Sequence, residues 1–135
     1  MTLYKHLLNV SGLSHLEAAH FHDVRRDTIN SWSSGRNPTP DGVIFEIATL
    51  IQKMHAAVDE TMSAVKKQKT KPQTIELGLC SDDHEAQTLG WPCVSVHARV
   101  IGTIAAQLIA LGHNVEIVPR GSTPSTAAAI EAHDT

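Results

Sequence analysis

Two groupings of side chains in this 135-residue chain have the residue types for metal or acid-base chemistry. The first is Cys80-x-x-x-His84 with Cys93-x-x-x-His97, two pairs of soft ligands, each pair four residues apart. On a helix that spacing puts both members on one face, where four such groups could hold zinc. Cys80, however, ends a strand-like segment, His97 lies in an apolar run, and the Cys-x-x-Cys knuckle is missing. The four are therefore read as two buried thiols and two ordinary imidazoles. No metal or other cofactor is expected, and a zinc-binding regulatory module is kept as an alternative. His20 and His22 are expected to be solvated or capping groups. The second grouping, Glu76, Asp82, Asp83 and Glu85, lacks the basic partner of a nuclease centre and is expected to cap a helix. No Walker loop, Gly-x-Gly-x-x-Gly or Gly-x-Ser-x-Gly is present, so no catalytic residue is assigned and the chain is not expected to be an enzyme.

A third grouping suits recognition better than reaction. Arg25-Arg26-Asp27-Thr28-Ile29-Asn30-Ser31-Trp32-Ser33-Ser34 reads as a helix closed by Gly35, in which only Ile29 and Trp32 are large and apolar. Their spacing of three buries one narrow stripe and leaves Arg26, Asp27, Asn30 and Ser31 outside. A helix with hydrogen-bonding groups on its first turns is what reading a DNA major groove requires. Two helices are predicted ahead of it. Thr2 caps the first, through about Asn9, with Leu3, Leu7 and Leu8 on one face and Ser11-Gly12 as its end. Ser14-His15-Leu16-Glu17 is a capping box that opens the second, through about Phe21, followed by a turn at His22-Asp23 and an apolar plug at Val24.

Leu13-Ser14 through Ala18-Ala19, Val24, Thr28-Ile29-Asn30-Ser31-Trp32 and Ser34-Gly35-Arg36 resemble the Xre/Cro-repressor helix-turn-helix family. Pro38 and Pro40 then prepare the next helix, as that family commonly does. The resemblance covers roughly a quarter of the chain. It implies that Arg26, Asp27 and Ser31 face bases, with Asn30 and Thr28 at the edge of that surface, and that Arg25, His15 and Arg36 meet phosphates. Arg25 stands where the family usually has a Ser or Thr cap, and His22-Asp23 replaces its usual small turn.

Charge and periodicity describe the elements that must hold such a helix. Hydrophobic residues make up 41% and charged ones 19%, an ordinary globular composition. Residues 1–71 carry nine Lys/Arg against seven Asp/Glu, and residues 72–135 two against seven, so a +2 half joins a −5 half. Thr39-Pro40-Asp41 is a helix start, and no Gly or Pro falls between Val43 and Lys71. Ile44, Ile47, Ile51, Met54, Val58, Met62 and Val65 recur every three or four residues, which predicts one long amphipathic helix. Its apolar stripe needs cover, from the chain's own C-terminal region or from the same helix of a second subunit.

Beyond the Lys-rich stretch 66–72, Thr74-Ile75-Glu76-Leu77-Gly78-Leu79 alternates as a half-buried strand does. A short helix capped by Ser81 or Asp82, a break at Gly90-Trp91-Pro92, a helix from about Cys93 to Leu111 and a strand at Asn114–Val118 follow. The pattern leaves the direction of strand pairing open. Two strands make a marginal sheet, so pairing with a second chain into four strands is the expectation. Gly102, Ala105 and Ala106 would allow a close helix contact or plain packing within the chain.

The predicted fold is α+β, with a lambda-repressor-like helix-turn-helix bundle over 1–65, a linker at 66–72, a β-α-α-β dimerisation region over 73–119 and a disordered tail at 120–135. The layout is similar to that of YdiL-type regulators and anti-CRISPR-associated repressors, mostly at Gly90-Trp91 and Gly112-His113. That likeness implies an autoregulatory, homodimeric repressor whose partner is double-stranded DNA. An antitoxin whose C-terminal half binds a protein toxin is the alternative. Two cysteines, no apolar run of membrane length and no signal-peptide pattern at Met1–His6 lead to the expectation of a cytoplasmic protein with no membrane partner.

Overall fold

The computed structural model describes residues 1–121, in which helices and strands are mixed in the order α1 (Leu3–Ser11), α2 (His15–His22), α3 (Arg26–Ser34), α4 (Asp41–Lys67), β1 (Thr74–Leu79), α5 (Asp83–Thr88), α6 (Val94–Ala110) and β2 (Asn114–Pro119). The described residues divide into two compact units, 1–53 and those from Met54 onward, so the boundary falls inside α4 and not at the expected linker 66–72. Lys66 and Lys67 form the last turn of α4, where their charge complements the helix dipole. Among the described residues no helix is long and apolar enough to cross a membrane.

In the N-terminal unit the helix ends follow the local punctuation. Thr2 caps α1 by accepting from the Lys5 amide at 3.1 Å, and Gly12 ends it at φ 82°, a conformation that glycine adopts without strain. The capping box of α2 is complete: the Glu17 amide donates to Ser14 Oγ at 3.1 Å, and Glu17 Oε1 accepts from the Ser14 amide at 2.9 Å. Gly35 closes α3, again at φ 82°. The core of this unit contains Tyr4, Leu8, Leu13, Ala18, Ala19, Ile29, Trp32, Ile47, Leu50 and Ile51. The stripe expected on α1 is shifted. Leu3 is exposed, and Tyr4, Leu8 and Ser11 point inward, because an inward face at position 8 selects positions 4 and 11 by helical periodicity.

The C-terminal unit is organised around α6. Val96, His97, Val100, Ile101, Ile104, Ala105 and Leu108 of that helix are buried, and α6 packs against both strands and α5. β1 and β2 pair in parallel from Thr74↔Asn114 to Leu79↔Pro119, which settles the direction that the sequence pattern left open. The two intervening helices supply the crossover that parallel strands need. Residues in register share a face, so Ile75, Leu77, Val115 and Ile117 lie on one side and Glu76 and Glu116 on the other. Ile75 and Leu77 are buried, whereas Ile117 is half exposed. The ladder runs one residue beyond the strand, since the Arg120 amide donates to the Leu79 carbonyl at 2.9 Å. Arg120 therefore belongs to the folded unit and not to the expected tail, of which 122–135 lies outside the described residues. Val58, Met62 and Val65 of α4 are buried within this chain.

Candidate nucleic-acid interface

α2 and α3 are joined by Asp23, Val24 and Arg25, and that connection sets how α3 is presented. Asp23 takes the left-handed conformation at φ 56° and ends α2, the role for which short polar side chains are tolerated. The Val24 amide donates to the Ala19 carbonyl at 2.9 Å, which turns the chain into α3. Arg25 occupies the N-cap position of α3 and makes no side-chain cap bond. The first-turn amides of α3, beside the exposed guanidinium groups of Arg25 and Arg26, therefore carry the partial positive charge of an uncapped helix start.

α3 is fixed from beneath. Ile29 is fully buried, and Trp32 packs edge-on against Tyr4 with ring centroids 5.6 Å apart. Thr2 Oγ1 donates to the carbonyls of Trp32 and Ser33 at 3.3 and 3.2 Å, tying the end of α3 to the start of α1. Above this anchor, Arg26, Asp27, Asn30 and Ser34 are exposed, Thr28 is half-buried, and Arg36 is exposed just past the helix. Asp27, Asn30 and Ser34 follow a spacing of three and four and form one outward stripe.

One expected base-facing residue is not there. Ser31 is only 4% exposed, because Asn37 folds back over it and donates from Nδ2 to Ser31 Oγ at 2.6 Å. The Asn37 amide also donates to the Ser31 carbonyl at 3.4 Å. Ser31 holds the segment after Gly35 in place and is not available to a base. Ser34, which the sequence pattern passed over, occupies the outer face instead, while its hydroxyl donates to the Ser31 carbonyl at 3.2 Å.

The histidines separate sharply. His15, expected at a phosphate, is half-buried and lies between two other side chains: Nδ1 is 2.5 Å from Asn30 Oδ1 and Nε2 is 3.3 Å from Lys5 Nζ. His20 is exposed, as expected, but His22 is not a solvated group. Its side chain is fully buried among Tyr4, Phe21 and Trp32, and its Nδ1 donates to Glu46 Oε1 at 2.5 Å. Burial, with the Glu46 carboxylate as a second cause, pushes the Tyr4 phenol well above its ordinary range, so it remains neutral. These contacts link α1, α2, α3 and the start of α4 and make a rigid base for the outward stripe.

The electrostatics are local. Residues 1–53 hold five Lys/Arg and five Asp/Glu, so attraction for a polyanion depends on the placement of Arg25, Arg26 and Arg36 around α3 and not on net charge.

In the C-terminal unit the candidate metal ligands are used in other ways. Cys80, Cys93 and His97 are buried, and His84 is exposed. His97 Nδ1 accepts from the Cys80 amide at 3.3 Å. Desolvation, reinforced by Arg120 and opposed by Glu85, lowers the pKa of His97 to about 4. Among the described residues no three His, Cys, Asp or Glu side chains converge to hold a metal ion. Three of the four acidic residues bond amides around α5 and α6, Asp82 Oδ1 accepting from the Glu85 amide at 2.8 Å, Asp83 Oδ1 from the Val94 amide at 2.9 Å and Glu85 Oε1 from the Ser81 amide at 3.0 Å, whereas Glu76, also expected to cap, lies within β1.

No protein-family model matches this chain, and no curated protein matches it.

Proposed function

We propose that this protein is a sequence-specific DNA-binding repressor that acts as a homodimer on a palindromic operator and regulates its own expression. Its N-terminal unit works as a lambda-repressor-like helix-turn-helix, with α2 and α3 as the paired helices. The observation that carries this reading is the surface of α3. Ile29 and Trp32 are buried, whereas Arg26, Asp27, Asn30 and Ser34 are exposed on a helix held at both ends. That is the arrangement a major groove accommodates, since the groove admits one helix and presents a distinct hydrogen-bonding edge at every base pair. Arg26 and Asp27 read bases, Asn30 reads beside them, Thr28 flanks that surface, and Arg25 and Arg36 position the helix on phosphates.

A two-fold pair places two copies of α3 about one helical turn apart, roughly 34–36 Å. Repression then needs no chemistry, because a dimer seated over a promoter excludes polymerase. The C-terminal unit supplies the pairing. Its two-stranded sheet has open edges, Ile117 of β2 is more than half exposed, and so are Ile109 and Leu111 at the end of α6. The same exposed apolar side chains also suit the second reading, an antitoxin whose C-terminal unit holds a toxin.

The test is binding of the full chain to DNA from upstream of its own coding sequence, with sedimentation to count protomers per duplex. Two protomers on that DNA, and much weaker binding to a shuffled duplex, are expected. Equal affinity for both duplexes would remove the repressor assignment, and a second protein co-purifying in fixed ratio would favour the antitoxin.

A further inference from the structure

A lysine ammonium can only donate hydrogen bonds, and this fixes the direction of every bond in a chain that begins with one. Lys5 Nζ of α1 is 3.3 Å from His15 Nε2 of α2, so that ring nitrogen must accept. In a neutral imidazole with Nε2 accepting, Nδ1 carries the proton and must donate. Nδ1 lies 2.5 Å from the side-chain amide of Asn30 on α3, so the group that receives this bond is the amide oxygen, as observed. Oδ1 is thereby turned back toward α2. The Nδ2 group, with its two N–H bonds, is left to face outward from an exposed position on α3.

We infer that Lys5 and His15 are positioning residues that set Asn30 as a hydrogen-bond donor toward the DNA, so that the base it selects is guanine in preference to adenine. The inference rests on α3 reading the major groove. In that groove guanine presents two acceptors, N7 and O6, whereas adenine presents an acceptor and the N6 donor. An unrestrained asparagine pairs well with adenine because it can offer both its oxygen and its nitrogen. With its oxygen held by His15, Asn30 loses that advantage and favours the edge made only of acceptors.

Two measurements test this. Nitrogen NMR of His15 in the DNA-free protein is expected to find the proton on Nδ1, and a ring protonated on Nε2 alone overturns the inference whatever DNA does. Bound sequences are then selected from random duplex DNA with the wild type, Asn30→Ala, His15→Ala, His15→Gln and Lys5→Met, each first checked for native circular dichroism. The position that Asn30→Ala flattens is the one Asn30 reads, and the wild type is expected to enrich guanine there. His15→Ala and Lys5→Met are expected to lower the guanine-to-adenine ratio at that position by about tenfold, with other positions unchanged. His15→Gln, which can still accept from Lys5 and donate to Asn30, keeps it. Adenine enriched by the wild type, no change in His15→Ala and Lys5→Met, or an equal loss at every position overturns the inference. A wild type that enriches no sequence overturns the groove-reading function itself, and this inference with it.

Discussion

α3 and α6 are both helices built around a stripe of apolar residues, yet they use their surfaces in opposite ways. In α3 three of nine residues are buried, Ser31 among them, and Arg26, Asp27, Asn30 and Ser34 remain exposed. In α6 seven of seventeen are buried, including a histidine, and the helix is the centre around which two strands and α5 assemble. The same contrast holds between His15, whose two ring nitrogens bridge side chains of α1 and α3 near the surface, and His97, whose burial keeps it neutral. The difference teaches that α3 keeps a stripe of hydrogen-bonding side chains outside, where a ligand can use it, whereas α6 directs its histidine inward to hold a fold.

Substitutions that respect or violate this division are expected to have graded effects. Ile104 is fully buried at the middle of α6, so Ile104→Ala is expected to destabilise the chain by about 2–5 kcal/mol, read from the urea midpoint. A loss under 1 kcal/mol would mean that α6 is not the organising helix. The pH response of the same helix comes next. His97 titrates at about 4 in the folded chain, below its ordinary 6.5. Above pH 6.5 it is neutral in both folded and unfolded states. As the pH falls from 6.5 toward 4 only the unfolded chain takes up the proton. Stability is therefore lost with a slope of up to about 1.4 kcal/mol per pH unit. In His97→Gln that part of the slope is expected to vanish, and an unchanged profile would contradict the burial argument.

On α3 the expectation reverses, because exposed residues away from special contacts contribute little to stability. Arg26→Ala is expected to leave the urea midpoint unchanged and to weaken operator binding by about 1–3 kcal/mol, with relaxed preference at one base pair. If the same affinity were lost on operator and random DNA, Arg26 would be a phosphate contact instead. Ser14→Ala, which removes the hydroxyl half of the α2 capping box, is expected to cost about 1 kcal/mol of stability. Smallest is Lys66→Ala in the last turn of α4, with a change under about 0.5 kcal/mol in stability or in DNA affinity at moderate salt. A large loss of affinity there would place the Lys-rich stretch in contact with DNA.

What could be read from the sequence was local. Ser14 with Glu17, Thr2, Gly12 and Gly35 fix helix ends through bonds that span three or four residues, and each such end is where the pattern put it. The strand Thr74–Leu79 and the existence of the long helix are equally local, set by alternation and by helical spacing, although that helix runs to Lys67, two residues into the expected linker. Legibility failed where a side chain's surroundings come from far along the chain. Ser31 has the same helical pattern as an outward residue, and only the return of Asn37 buries it. His22, between Phe21 and Asp23, gives no local sign of burial until Tyr4, Trp32 and Glu46 close over it from other helices. No spacing rule links Lys5, His15 and Asn30, which are ten and fifteen residues apart in sequence. Strand direction was open for the same reason, since it depends on where the crossover helices pack.

The central claim, that α3 is an exposed reading surface presented by a two-fold pair, is tested most directly by selecting bound sequences from random duplex DNA with the full-length protein. The account expects two inverted half-sites whose centres lie about one helical turn apart, with preference lost at single positions in the Arg26 and Asn30 variants. Recovery of no enriched sequence, or of a sequence preference untouched by both variants, would contradict it.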